Sequence, residues 1–246
     1  MVDKELFNKA KDIMCARSQG SNGIGTMAEK SVHATLKYYF APDEKYHEVK
    51  IASFVADICM DGEITEIQTR QFYTMKKKLD LYLQNDYDVT IVYPVCEENT
   101  IVWIDTETGE LKRSRKVKKK KLYNQILVEM YGIRDFISDD RIHFAIVKLE
   151  TEDYRYLDGF GKDKKVRATK TDKYPVDIID EIRIDSKEDY KLFLPNELPE
   201  RFDARSFGKL IGLTGSDCSM ALLVLETVGV LEKCGKEGRK NIYKRI

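Results

Sequence analysis

Apolar positions recur at helical spacing over residues 3–16, where Leu6, Phe7, Ala10, Ile13 and Met14 share one side. A second helical stripe follows over 27–40, with Val32, Leu36 and Tyr39 or Phe40 facing a core and Pro42 closing the helix. Glu29, His33 and Lys37 lie four apart along a different stripe of that helix. The period then falls to two. His47 to Ile51, Val55 to Met60 and Glu63 to Thr69 read as three consecutive strands. A helix follows at 73–85, with Met75, Leu79 and Tyr82 inward and Lys76, Lys77 and Lys78 at its start. Asp88 to Val95 is the continuous apolar run of a buried strand, and Ile101 to Ile104 is a further strand.

Beyond this point the pattern predicts shorter elements. A basic run, Arg113 to Lys121, reads as a solvated loop or helix start before an apolar helix at 122–131. His143 to Leu149 predicts a strand, Asp153 to Asp158 a short helix, and Gly159 to Lys173 a mobile basic loop. Val176 to Ile184 reads as a helix turn and strand, and Ser186 to Phe193 as a short helix opened by a serine cap. Pro195 to Pro199 is the clearest linker, dividing residues 1–194, with a core at about 20–150, from residues 195–246. Past the linker come helices at 205–211 and 216–228 and strands at 230–234 and 241–245. Helix-turn-helix followed by a β-hairpin resembles a winged-helix domain. Its second helix carries Asp217 and Glu226 but no Lys or Arg, so base readout looks weak there. The wing, with Lys236, Arg239 and Lys240, suits phosphates better, and protein contact is an equal alternative for this domain.

Candidate chemistry sits on the hairpin. Asp61-Gly62 is the dipeptide that favours a two-residue turn with positive φ. With those two residues as the whole turn, Met60 faces Glu63 and Asp57 faces Glu66. Alternation puts both carboxylates on one face, together with Gln68 and Arg70. Like charges opposed at about 5 Å repel. A cation between them removes that cost, and carboxylate oxygens suit Mg²⁺ or Mn²⁺. The competing reading is an exposed hairpin with scattered acids, in a chain that is 34% charged.

The order helix, three-strand meander, crossover helix, strand, with Glu29 on the first helix, Asp57 on the second strand and Glu66-Ile67-Gln68 on the third, resembles the PD-(D/E)XK (restriction-endonuclease-like) nuclease superfamily. The likeness covers roughly residues 20–105. It implies an α/β fold with a mixed sheet and an αβββαβ core, and a Mg²⁺- or Mn²⁺-dependent DNA endonuclease for repair, defence or restriction-like work. By the resemblance, Asp57, Glu66, the Ile67 carbonyl and Glu29 hold the metal, and Glu29, Asp57, Glu66 and Gln68 form the catalytic set. Gln68 stands where the superfamily usually has Lys, though some of its restriction enzymes carry Gln there. Gln orients water but brings no charge, which leaves Arg70 and Lys37 as candidates for the missing cation. The alternative is a catalytically inactive nuclease fold that binds DNA or regulates, and Gln68 is its best support.

Composition changes little. Lys plus Arg and Asp plus Glu are 42 each, so net charge does not speak for or against nucleic acid. The distribution does. Arg70, Arg113, Arg115, Lys116, Lys118, Lys119, Lys120, Lys164 and Lys165, with the wing cations, are the candidate phosphate contacts. Five scattered cysteines without a C-x-x-C pair fit a reducing cytoplasm and supply neither a disulfide frame nor a zinc site. No apolar stretch approaches a membrane span or a signal peptide, so a cytoplasmic, membrane-free protein is expected. Nucleases of this fold that cut both strands often dimerise, so a homodimer is admitted as well.

Overall fold

The turn between residues 60 and 63 sets the geometry of the centre. Asp61 and Gly62 have φ of 51° and 88°, the left-handed pair of a tight hairpin loop. The turn joins β2 (Phe54–Met60) to β3 (Glu63–Ile67) in an antiparallel ladder. Its register is Met60 opposite Glu63, Cys59 opposite Ile64 and Ile58 opposite Thr65. One further step places Asp57 opposite Glu66. On β3, Ile64 and Glu66 share one buried face, and on the other face Glu63 is exposed beside the turn while Ile67 is buried.

The structure is a computed structural model describing residues 2–20, 31–119, 122–160 and 167–246. Glu29, Lys120, Lys164 and Lys165 lie outside the described residues. Upstream of the hairpin are helices α1 (Lys4–Gly20) and α2 (Ser31–Phe40) and strand β1 (His47–Ile51). After it a 3₁₀ turn (Phe72–Met75) leads into α3 (Lys76–Gln84), which crosses over to β4 (Asp88–Asp105), parallel to β3. Short strands β5 (Leu111–Arg113) and β6 (Val117–Lys118) pair back onto β4. Then come α4 (Ile126–Tyr131), β7 (Ile142–Leu157) and β8 (Thr169–Ile184). The fold is mixed α/β. Its eight-stranded sheet has the order β1-β2-β3-β4-β7-β8, with β5 and β6 attached to β4.

Two compact units divide the chain: Met1–Val49, Pro94–Lys120 and Val147–Glu181 form one, and Lys50–Tyr93, Lys121–Ile146 and Ile182–Ile246 the other. In the first, α1 packs on α2 through Phe7 and Tyr39, whose rings meet edge to face at 5.8 Å. In the second, Phe72 stacks on Phe144 at 6.4 Å and meets Tyr93 edge-on at 5.9 Å, beside fully buried Leu79, Tyr82 and Ile91. Fixing Phe72 there anchors the turn between β3 and α3.

Several expected elements differ. Residues 88–95 and 101–104 are parts of one strand, β4, not two. The intervening Glu98 and Asn99 stay extended because β6 pairs with them, and Lys118 bonds Glu98 at 2.9 Å. Of the basic run, Arg113, Val117 and Lys118 are strand, while Ser114–Lys116 and Lys119 are irregular, as expected of a loop. The expected helix at 153–158 is the end of β7. There Tyr154 packs edge-on against Tyr174 at 5.2 Å, and its carbonyl accepts from Thr171 at 3.0 Å. Cross-strand pairing overrides local propensity at that point. Strand β8 begins at Thr169, so residues 169–173 of the expected loop are strand, and no helix turn precedes Ile184.

The C-terminal stretch holds β9 (Arg201–Asp203), α5 (Ala204–Ile211), α6 (Gly215–Thr227), β10 (Leu231–Glu237) and β11 (Lys240–Arg245). The strands form a separate sheet of order β10-β11-β9, and α5 and α6 meet at 97°. Asp203 caps α5, accepting from the Ser206 amide at 2.8 Å, and also takes the Lys240 ammonium at 2.8 Å. Those bonds, Lys240 first, hold its carboxyl well below the usual range. Asp203→Ala is expected to lose about 1 kcal/mol of stability, the ordinary cost of an N-cap, read as a lower urea midpoint at constant m. Among the described residues no single helix is long and apolar enough to cross a membrane.

Candidate functional site

Strand alternation turns Glu66 inward and leaves it only 4% exposed. A buried carboxylate needs partners, and α3 supplies two from successive turns. Lys78 donates to Oε2 at 2.7 Å and Tyr82 to Oε1 at 2.9 Å. The i, i+4 spacing puts both on one helix face, which also buries Leu79. Asp57, half-buried on β2, accepts the Ile67 amide through Oδ2 at 2.8 Å. Its side chain thus takes a backbone donor just past the last ladder pair between β2 and β3.

Burial pushes the Glu66 carboxyl up to about 7, and the nearby Asp57 charge adds to the rise. Lys78 and Tyr82 pull the other way without cancelling it. The Tyr82 hydroxyl is raised too, by burial first and then by Glu66. The rise assigned to Asp57 is the mutual repulsion expected of two carboxylates on one strand pair.

Gln68 ends the strand. Its amide donates to Val92 at 2.9 Å, and its side chain turns onto the Arg70 carbonyl at 2.7 Å. Arg70 is exposed and makes no ion pair among the described residues. Lys37 is buried and bonds Glu48 at 3.0 Å. Neither expected cation is the one that touches Glu66. That is Lys78, a residue noted in the sequence only as part of a charged helix start, while Tyr82 was read as core. The signal available was their four-residue spacing on the helix that follows the Glu66 strand.

Asp57, Glu66 and the Ile67 carbonyl are oxygen donors of the kind that suit Mg²⁺ or Mn²⁺. Among the described residues no group of three or more His, Cys, Asp or Glu side chains could hold a metal, Glu29 being outside them. The two-carboxylate set fits a hard divalent cation in chemistry, because a cation would relieve the repulsion that helps raise Glu66. A cavity of about 130 Å³ lies elsewhere in the second unit, lined by Ile137, Asp140, Ile184 and Tyr190 among others. It is well below the roughly 300 Å³ of small ligand clefts and contains none of these donors.

The candidate phosphate contacts divide by partner. Arg113 pairs with Glu152 at 3.2 Å, Lys116 with Glu150 at 2.5 Å, and Lys118 with Glu98 at 2.9 Å. Lys240 is taken by Asp203. Arg115, Lys119, Lys236 and Arg239 are exposed and form no ion pair among the described residues. The local run looked like a free basic track because its acidic partners are remote in sequence.

A protein-family model described as "Domain of unknown function (DUF8091)" matches residues 30–185, more than half of the chain. The match ends one residue beyond β8, before the short helix 187–193 and the C-terminal sheet. No curated protein and no solved structure matches the chain.

Proposed function

The chain belongs to the DUF8091 family, a domain of unknown function, and we propose that it is a Mg²⁺- or Mn²⁺-dependent DNA endonuclease of the PD-(D/E)XK type. The observation that carries this reading is Asp57 and Glu66 opposed at the end of the β2–β3 hairpin away from its turn, with the Lys78 ammonium on Glu66. The helix, three-strand, helix, strand order from α2 to β4 supports the nuclease core, with β2 and β3 antiparallel and β4 parallel to β3. The right-angled α5 and α6 with the β10–β11 hairpin support a winged helix over 195–246.

A divalent metal bound here would supply Lewis acidity toward the scissile phosphate and toward an attacking water. Asp57, Glu66 and the Ile67 carbonyl would hold it, with Glu29 added by the resemblance. Lys78 brings to this cluster the positive charge that Gln68 does not, placed to oppose negative charge developing on phosphate oxygens. Tyr82 fixes the Glu66 carboxylate in orientation.

The test is cleavage of supercoiled plasmid and branched DNA with Mg²⁺ or Mn²⁺, wild type beside Asp57→Ala. Wild type is expected to nick, and Asp57→Ala to fall to background. Metal-dependent nicking that survives the substitution overturns the assigned site. A second reading, an inactive nuclease fold that binds DNA, is favoured by the engagement of both Glu66 oxygens by Lys78 and Tyr82. It predicts no cutting by either protein and no heat of metal binding in isothermal titration.

A further inference from the structure

Two tyrosines are exposed where β3 gives way to α3 and where α4 ends. Tyr73 is 58% exposed and Tyr131 is 37% exposed. Neither lies on a loose segment. The turn carrying Tyr73 is pinned by buried Phe72 and Met75, and the Glu129 carboxylate accepts the Gln71 and Phe72 amides. The backbone after Tyr131 abuts that turn. A Cβ on Gly132 would stand 3.0 Å from the Tyr73 nitrogen and 3.1 Å from the Tyr73 Cβ, so any side chain there presses on that turn. The two tyrosines therefore arise from touching, rigid backbone.

Cations lie on the same segments. The Arg134 guanidinium lies 5.3 Å from the centre of the Tyr131 ring. Arg70 and Lys77 are exposed and unpaired among the described residues. Of the acids on these segments, Glu129 is engaged by backbone amides, and exposed Asp135 pairs with Lys76 at 3.4 Å. Aromatic faces held rigidly among free cations are what unpaired bases and their phosphates require: stacking is worth about 1–3 kcal/mol per base, and arginine reinforces it.

We propose that Tyr73 and Tyr131 form a stacking platform for unpaired bases, with Arg70, Lys77 and Arg134 on the flanking phosphates. The preferred ligand is then DNA with a single-stranded region, led toward the carboxylates because Arg70 follows Gln68 by two residues. The proposal rests on the reading that DNA is the partner, but not on catalysis.

The experiment is fluorescence anisotropy in EDTA at fixed salt, with a labelled oligothymidylate and a labelled duplex. Wild type is expected to prefer the single strand. Tyr73→Ala/Tyr131→Ala should weaken single-strand binding about 10- to 100-fold, leaving duplex affinity and melting temperature unchanged. Tyr73→Phe/Tyr131→Phe should retain affinity, because phenylalanine stacks without a hydroxyl. Unaltered single-strand binding by the alanine pair overturns the platform, as does equal loss by the phenylalanine pair or no binding by wild type. Cleavage measured beside it separates the two readings. Tyrosine-dependent binding without cutting leaves the platform standing and removes the nuclease. Asp57-dependent cutting with normal binding by the alanine pair does the reverse.

Discussion

Glu66→Gln is expected to raise the melting temperature at pH 8 and to leave it nearly unchanged at pH 5. The carboxyl is raised from 4.5 to about 7 in the folded protein, chiefly by burial. The folded state therefore binds its proton more tightly than the unfolded chain does. A group shifted in this direction makes its full contribution to stability below the unfolded value and loses it as pH climbs through the folded one. The window is pH 4.5 to 7, and the shift corresponds to about 3 kcal/mol across it. Glutamine keeps an acceptor for Lys78 and a hydrogen-bonding partner for Tyr82 without a charge to desolvate, so the variant escapes the loss. In a domain of this size that is roughly 6–12 °C in Tm. Thermal scans from pH 4 to 9 should converge at the acid end and separate through neutrality. Parallel curves would show that Glu66 is not the titrating group.

Lys78→Met is expected to do the opposite. Its side chain is largely buried, and methionine keeps most of the apolar stem, so the change removes mainly the charge. At pH 8 it leaves a carboxylate beside Asp57 with only the Tyr82 hydroxyl for a partner. Breaking one side of a buried pair costs about 3–5 kcal/mol, and the part-exposed ammonium brings the expectation down to about 2 kcal/mol. The loss should shrink at pH 5, where Glu66 is protonated, and nearly vanish in the Glu66→Gln background. Urea unfolding of the four proteins gives the coupling as a double-mutant cycle. Additive free energies at pH 8 would mean that the two side chains do not interact in solution.

The paired cations bear on where DNA can lie. Arg113, Lys116 and Lys118 already face carboxylates across β4 to β7, so a phosphate must displace those partners. Arg70, Lys77 and Arg134 face no such competition among the described residues, and they lie on the segments that follow Glu66 and close α4. The basic run that stands out in the sequence is thus the poorer phosphate track, and the dispersed cations are the better one.

Residues 54–67 were legible before any coordinates. A two-residue Asp-Gly turn and a period of two are local properties, and together they determine which side chains share a face. The same locality made the helices expected at 3–16, 205–211 and 216–228 readable, although α1 runs on to Gly20. The end of β7 was not, because Asp153 to Leu157 has no strong period of its own and is extended only by its pairing with β8. Lys78 and Tyr82 were missed for the same reason. They stand 12 and 16 residues beyond Glu66, and their convergence on it depends on how the α3 crossover packs against β3. The sequence by itself determined that two carboxylates would be opposed on a hairpin. Only the tertiary structure decided which cation would answer them, because burial of Glu66 creates the need for a partner and helix packing selects the residue that meets it.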